Sequence, residues 1–396
     1  MRRALPVSVT GMGCVCAAGT DLPGCLAALA AGHRAPAIPA RFGRAAKYPV
    51  FEVPPGAVDA WGKLHPGLSR TVHLALHAAR EALSQSGLDL SARPERIGVC
   101  IGTSVGASLN FLDYYRTWRQ GENPGLEPIR RYLDSSPAMA VARLLGVSGP
   151  VQTVTNACSS GADALGLAAA WIRQGLCDAA VAGGADELSV TAYSGFARLM
   201  ITDEEPCRPF DRSRRGLNLG EGAGMTVLES AESAARRGAV ERGTILGYGT
   251  ASDAHHLTAP HPGGRGLRGA IAEALAQAGL APEDMACINA HGTATRDNDR
   301  AEAAVFGTLF PHTPFIATKG MTGHTLGAAG AIEAVFAMAH LAAGELPASA
   351  GYAEPDPELG VSPAATGTEI RGAAALSLSL AFGGNNSALV VGRGKA

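Results

Sequence analysis

The chain has 396 residues, of which 46% are hydrophobic and 17% charged, and its formal net charge is -2 at pH 7. A chain this long and apolar can bury one large core or two fused smaller ones, which excludes a disordered or fibrous protein. Like charges do not form long runs. This argues against a nucleic-acid-binding surface, while a local basic patch for an acidic partner remains possible.

The eight cysteines are scattered, without a Cys-x-x-Cys pair and without a Cys/His group at zinc-ligand spacing. We therefore predict reduced thiols, mostly small core residues, and no metal site.

Small polar residues and glycines between Ser8 and Gly13 interrupt the apolar N-terminal stretch, which favours a first β-strand and a turn over a signal peptide. The Ala-rich segment 331–343 contains Glu333 and His340, so no transmembrane span is predicted and a soluble, cytoplasmic protein is expected.

Short β-branched or apolar runs alternate with Ala-rich amphipathic stretches along the whole chain. Strands are predicted at 7–10, 97–102, 151–155, 179–183, 224–228, 244–248, 286–290, 314–318, 374–381 and 387–392. Helices are predicted at 71–86, 137–145, 159–174, 266–279, 298–307 and 326–343. The alternation indicates α/β layers with largely buried sheets. The layout repeats, so we expect two similar halves, 1–240 and 241–396, fused back to back.

One cysteine stands in a setting that is typical of a nucleophile. The run Val151-Gln152-Thr153-Val154-Thr155-Asn156-Ala157-Cys158-Ser159-Ser160-Gly161 reads as a strand, a tight turn and a helix start. The positive end of the helix and its unpaired N–H groups would favour the thiolate of Cys158 and hold a developing oxyanion. A buried and inert cysteine is the alternative, which this feature alone leaves open.

Two histidines follow predicted strands that end in Gly/Thr turns. His291 stands in Asn289-Ala290-His291-Gly292-Thr293, and the segment 317–330 presents Lys319 and His324 before a helix that contains Glu333. The carboxyl ends of strands are where α/β proteins place their sites. A thiol with two imidazoles suits chemistry that moves charge onto a carbonyl oxygen.

Together these segments resemble the β-ketoacyl-ACP synthase family, in its elongating branch with a Cys-His-His site. The resemblance runs from about residue 7 to 393 and includes Pro209-Phe210-Asp211, Gly220-Glu221-Gly222-Ala223-Gly224 and Ala381-Phe382-Gly383-Gly384-Asn385-Asn386. It implies a thiolase-like fold, with two related βαβαβαββ halves in a five-layer αβαβα sandwich, and a dimer.

The resemblance also implies a role for each site residue. Cys158 would be the nucleophile, and its backbone N–H with that of Phe382 would form the oxyanion hole. His291 and His324 would hold the thioester carbonyl of malonyl-ACP and stabilise the enolate left by decarboxylation. Lys319, beside Glu333, would be an electrostatic support.

Further roles carried by the resemblance concern the pocket and the partners. Phe382 would gate the acyl pocket opposite a mobile loop at 250–256, and Val105 would help set acyl-chain length. The substrates would arrive on the phosphopantetheine arm of an acyl carrier protein, without any other cofactor. Lys63, Arg70 and Arg198 are candidates for docking this acidic partner.

Some positions depart from the fatty-acid enzymes of the family. Arg296 stands where proline is common, and Asn385 replaces a frequent threonine. These changes leave the chemistry intact but make a polyketide or polyene pathway a plausible alternative to fatty acid synthesis. The partner subunit also stays open, since the chain fits either a homodimer or the catalytic subunit of a synthase/chain-length-factor heterodimer.

Other members of the wider superfamily fit less well. A non-catalytic chain-length factor usually lacks the nucleophile that this chain keeps. A thiolase uses a second, late cysteine, whereas the last cysteine here is Cys287. An initiating synthase uses Cys-His-Asn, which the His324 segment argues against, and intact residues at all three positions argue against a scaffold protein.

Overall fold

The computed structural model describes residues 4–39, 42, 46–106, 112–127, 129–130 and 136–395. In chain order its strands are β1 Val7–Cys16, β2 Ile97–Gly102, β3 Val151–Val154, β4 Ala179–Asp186, β5 Gly222–Ser230, β6 Gly243–Ser252, β7 Met285–Asn289, β8 Phe315–Ile316, β9 Glu345–Leu346, β10 Thr368–Glu369, β11 Ala374–Leu380 and β12 Asn385–Arg393. Its α-helices are α1 Leu22–Ala31, α2 Asp59–Leu64, α3 Arg70–Ser86, α4 Leu112–Arg119, α5 Pro137–Leu145, α6 Ser160–Arg173, α7 Val190–Arg198, α8 Ala231–Arg236, α9 Arg265–Ala278, α10 Arg296–Leu309, α11 Lys319–Thr322 and α12 Ala329–Ala343.

The long strands form a continuous sheet in the order β3-β2-β4-β5-β1-β6-β12-β11-β7-β8. The outer strands of each end run parallel, and the inner pairs run antiparallel. Read from its outer edge inward, each end has the order third-second-fourth-fifth-first when only the strands of this sheet are numbered within each half. The two first strands, β1 and β6, join the ends through three paired positions, Val7 to Val9 with Ile245 to Gly243. The repeat matches the predicted βαβαβαββ plan.

The helices build the layers around the sheet. α6 and α12 pack on each other between the two ends of the sheet, α3 covers the outer face of β1 and β5, and α9 covers β6 and β12. A close crossing of the central helices requires glycine, because a Cβ on Gly161 would lie 2.9 Å from Ala331 N. Helix α12 is buried on nearly all sides, as its apolar sequence predicts.

The first strand is longer than predicted and does not turn at its glycines. β1 continues through Gly11 and Gly13 to Cys16. A Cβ on Gly11 would lie 1.9 Å from Ala82 O, and one on Gly13 would lie 2.1 Å from Ala78 O. The predicted end of the strand at residue 10 was wrong because these glycines allow the close approach of α3 to the strand, and the predicted turn follows only after Cys16.

Within the described residues, one helical stretch is long and apolar enough to cross a membrane by length and composition. Leu326–Ala343 has a mean hydropathy of 1.5 over 18 residues, and 83% of it is buried inside the protein. Glu333 and His340 lie on this stretch and are buried. It is the central helix of the core.

Candidate active site

Cys158 lies in the tight turn between β3 and α6. The turn is closed by hydrogen bonds, since Asn156 N–H donates to Ser160 Oγ (2.8 Å) and Ser160 Oγ donates to Ala157 O (2.6 Å). Ala157 has a left-handed φ of 50°, which is strained for a residue with a Cβ. The strand–turn–helix setting of Cys158 is confirmed, and the sulfur is presented from a rigid bend.

Burial dominates the acidity of this thiol. It raises the pKa of Cys158 to about 11, while the charge of Lys319 and a hydrogen bond from the Phe382 N–H oppose it. The predicted preference for thiolate therefore does not hold in the resting site, because desolvation outweighs the local charges. The thiol keeps its proton at neutral pH and must lose it when sulfur attacks.

The two histidines meet at Cys158. His324 Nε2 lies 3.0 Å from Cys158 Sγ, and the His324 and His291 ring centroids are 5.2 Å apart in an edge-to-face arrangement. Both rings are buried. Burial, with the charge of Lys319 second, holds the pKa of each well below its usual value. Both imidazoles are therefore neutral and able to accept or donate a proton.

Lys319 fixes His291 from behind. Its ammonium lies 3.1 Å from His291 Nδ1 and 2.6 Å from His291 O, and it forms a buried ion pair with Glu333. Since an ammonium only donates, His291 Nδ1 accepts and the ring carries its proton on Nε2. Burial raises the pKa of Glu333 to about 7, against the opposing effect of Lys319. For His324, the described part of the chain offers no partner for Nδ1.

Phe382 follows β11 and closes the site from the second half of the chain. Its backbone N–H lies close enough to the Cys158 sulfur to lower the pKa of that thiol, which puts it near the carbonyl of any acyl group held on the sulfur. Its ring stacks on Phe196 with centroids 5.4 Å apart. Phe196 also lies edge-on to His324 at 6.5 Å. Phe196, on the unpredicted helix α7, was missed by sequence reasoning; the aromatic pattern of 190–198 is the signal that was available.

These groups line a pocket whose wall is partly polar and partly apolar. Asp253 and His256, from the segment predicted as a loop opposite Phe382, give it polar side chains, and Ile201 and Leu217 give it an apolar side. Val105 is buried in the same hydrophobic cluster as Leu217 and is not among the residues that line this pocket. Its contribution to chain length stays a prediction.

Buried carboxylates hold the loop of His291, and sequence reasoning missed them. Glu302 accepts from the backbone N–H groups of His291 and Gly292 at 2.7 Å each. Asp299 accepts from Phe210 N (2.7 Å) and Ala294 N (3.2 Å). Burial raises the pKa of Glu302 to about 8 and that of Asp299 to about 6. Both stand on α10 just after the His291 turn, where acidic residues in the first turns were the available signal.

A polar chain joins the Phe382 loop to the Cys158 turn. Asn385 Nδ2 donates to Asn156 Oδ1, and Asn156 Nδ2 donates to Asp163 Oδ2 at 2.6 Å. Asp163 Oδ1 accepts from Tyr248 OH (2.9 Å) and from Ser387 Oγ. The chain links the two halves at the point where the sulfur and the Phe382 N–H must be aligned.

The three residues predicted to dock the carrier protein differ in whether their side chains are available at the surface. The Arg70 guanidinium donates two hydrogen bonds to the buried Glu221, at 2.6 and 3.1 Å. Its charge is therefore already paired inside the protein. Lys63 and Arg198 are exposed. Arg198 ends the helix that places Phe196 at the pocket.

Comparison with known proteins identifies the family. Residues 4–234 match the family described as "Beta-ketoacyl synthase, N-terminal domain", and residues 242–353 match "Beta-ketoacyl synthase, C-terminal domain". The chain is 38% identical over 347 residues to the tetracenomycin polyketide synthase ketoacyl synthase alpha subunit of Streptomyces glaucescens, covering 82% of each. It is 36% identical over 343 residues to 3-oxoacyl-[acyl-carrier-protein] synthase 2 of Staphylococcus aureus, covering 82% of this chain and 84% of that protein.

A solved structure shares the whole fold. The ishigamide ketosynthase/chain length factor superposes with a TM-score of 0.91 at 32% identity, covering 98% of this chain and 99% of that one. This confirms the predicted thiolase-like fold. The chain belongs to the β-ketoacyl synthase family and is an acyl-transferring enzyme that forms carbon–carbon bonds.

Proposed function

We propose that this protein is an elongating β-ketoacyl-ACP synthase, which condenses an acyl group held on Cys158 with malonyl-ACP and releases carbon dioxide. The observation that carries the proposal is the convergence of three groups: His324 Nε2 lies 3.0 Å from Cys158 Sγ, and the His291 ring lies beside it. An intact thiol with two neutral imidazoles argues against a non-catalytic chain-length factor. The separation of the halves at residue 240 remains part of the proposal.

The first step loads the enzyme. Cys158 Sγ attacks the thioester carbonyl of acyl-ACP, the bond from that carbonyl to the carrier sulfur breaks, and the acyl group stays on Cys158. The thiol proton passes by way of His324 Nε2 to the departing carrier thiolate. The Phe382 N–H, directed at this site, stabilises the oxyanion that forms in between.

The second step builds the new bond. The malonyl carboxylate leaves as carbon dioxide, and the electron pair of the broken C–C bond forms an enolate whose oxygen accepts hydrogen bonds from the histidines. The enolate carbon attacks the acyl carbonyl on Cys158, the bond from that carbonyl to the sulfur breaks, and the departing thiolate takes up one proton from solvent. His291, with its proton fixed on Nε2 by Lys319, is ready to donate at every turnover. The step needs no cofactor beyond the carrier's arm.

The protein partners follow from the same proposal. An acidic carrier protein would dock near exposed Arg198, beside the pocket mouth. A second, related subunit, as in the ketosynthase/chain length factor pair, would cover the edge strand β3 and the exposed Tyr115 and Trp118 of α4.

The similarity to a polyketide subunit and the residues Arg296 and Asn385 support a polyketide or polyene pathway. Eight free, buried cysteines support a cytoplasmic location.

The proposal is tested by separating the two half-reactions. Replacement His324→Ala should abolish decarboxylation of malonyl-ACP, followed as carbon dioxide release, while some acylation of Cys158 remains. Its matched control is His312→Ala, in an exposed loop, which should leave both reactions unchanged. Wild-type decarboxylation by His324→Ala would contradict the role. Turnover that does not weaken with rising salt would argue for CoA substrates instead of a carrier protein.

A further inference from the structure

Three cysteine side chains converge where β1 meets α1. Cys14 and Cys16 share one face of β1, because alternate residues of a strand point the same way, and Cys25 faces them from α1. The three sulfurs lie within 4.8 Å of one another, and those of Cys16 and Cys25 are 3.6 Å apart. All three residues are fully buried. Their spacing along the chain matches no zinc motif, so the sequence did not reveal the cluster.

The backbone around the three thiols is held in place. A tight turn closes on itself after β1, with Cys16 N bonded to Gly19 O (3.0 Å) and Gly19 N to Cys16 O (3.1 Å). Glu81 of α3 accepts from Cys14 N and from Leu22 N, at 2.9 Å each. This carboxylate ties the strand to the first residue of α1, so the sulfurs converge on a rigid frame.

The distances fit coordination better than a disulfide. A metal–sulfur bond of about 2.3 Å requires sulfurs about 4.0 Å apart in a planar three-ligand site and about 3.8 Å apart in a tetrahedral one. The 3.6 Å between the sulfurs of Cys16 and Cys25 is close to these values, and all three sulfurs lie within 4.8 Å of one another. A disulfide would need the sulfurs at about 2.0 Å and would use only two of the three residues.

We propose that Cys14, Cys16 and Cys25 form a site for a soft monovalent cation of the Cu(I) class, which would clamp β1 to α1. Thiolate sulfur selects such ions, and each cysteine that coordinates the ion releases its thiol proton to solvent. Zn(II) fits less well, since its structural sites take four ligands and three thiols converge in the described part of the chain.

The site is tested by metal titration of the full-length Cys158→Ala protein, in which the active-site thiol cannot compete. Anaerobic Cu(I), offered against a competing chelator, should bind at one equivalent with Cu(I)–thiolate luminescence, and should raise the Tm. The further replacement Cys16→Ser should weaken binding at least tenfold and remove the rise in Tm. Cys287→Ala, at a buried cysteine outside the cluster, is the control and should bind as before.

Three results would overturn the proposal. They are no Cu(I) binding above that of the chelator, equal binding after Cys16→Ser, and Zn(II) binding as tight as that of Cu(I). Because Cys16→Ser can fail to fold, Cys25→Ser on α1 is measured in parallel, with circular dichroism to show that each variant is folded. Retained affinity in a folded Cys25→Ser variant would also contradict the site.

Discussion

At the scale of single residues, the active site works with neutral groups that a buried ion pair holds in place. The Lys319 ammonium donates to Glu333 and to two atoms of His291. These bonds orient the His291 ring, and the charge lowers the pKa of both histidines. The same charge only partly offsets the burial of Cys158. The site therefore holds its proton on sulfur until a substrate arrives.

The acidity of Cys158 predicts how the free enzyme reacts with an alkylating reagent. With a pKa of about 11, the thiolate fraction grows about tenfold for each pH unit between pH 7 and 10, because only the deprotonated form reacts. The rate of iodoacetamide labelling at Cys158, measured by mass spectrometry, should rise in the same proportion. A plateau below pH 9 would show that the thiol is far more acidic than this.

The link between Asn385 and Asn156 predicts a defect in rate without a defect in binding. Asn385→Ala removes the bond that aligns the Phe382 loop with the Cys158 turn. Since small misplacements of an oxyanion donor are costly, kcat should fall roughly 10- to 100-fold with KM nearly unchanged. The exposed Asn123→Ala is the control. A fall in affinity alone, with kcat retained, would assign Asn385 to binding.

The candidate catalytic residues could be predicted from the sequence, but the residues that hold them in position could not. Cys158, His291, Lys319 and His324 stand in local motifs, so their positions at strand ends follow from pattern. Glu302 holds His291 from 11 residues away, and the groups around Asp163 are up to 224 residues apart. Such contacts depend on the tertiary packing, and so does the burial that raises the pKa of Cys158.

At the scale of elements, glycine determines how closely the layers approach. β1 carries Gly11 and Gly13 against α3, and the central helices carry Gly161 and Gly330 against each other. A strand interrupted by glycines looks like a turn in sequence, because the partner helix that requires them is not visible there. The predicted helices agree with the observed ones to within two residues at each end, except that α12 begins three residues later than predicted. Helices α1, α2, α4, α7, α8 and α11 were not predicted.

Close packing predicts that Gly13→Ala is strongly destabilising. The added Cβ would lie 2.1 Å from Ala78 O, so α3 or β1 must shift. The free energy of unfolding, from urea denaturation, should fall by about 3 kcal/mol or more. Gly67→Ala is the matched control, because its Cβ would meet no atom within 4 Å. Equal stability of the two variants would refute this account of β1.

At the scale of the molecule, an exposed sheet edge and an apolar helix face indicate a missing neighbour. β3 ends the sheet, and on α4 the side chains of Tyr115 and Trp118 are 51% and 59% exposed. Trp118→Glu should therefore shift the complex with the second subunit, a copy of this chain or a chain-length factor, from dimer to monomer in light scattering coupled to size exclusion. Val240→Glu, equally exposed at 59%, should not. A dimer that survives Trp118→Glu would place the interface elsewhere.

The central claim is that Cys158 carries the growing acyl chain, and intact-mass analysis tests it most directly. Wild-type protein incubated with a panel of acyl-ACPs should gain the mass of one acyl group, located on Cys158 by peptide mapping, and malonyl-ACP should then discharge it as β-ketoacyl-ACP. The Cys158→Ala protein should gain none. An acyl adduct on another residue, or one that malonyl-ACP cannot discharge, would contradict the account.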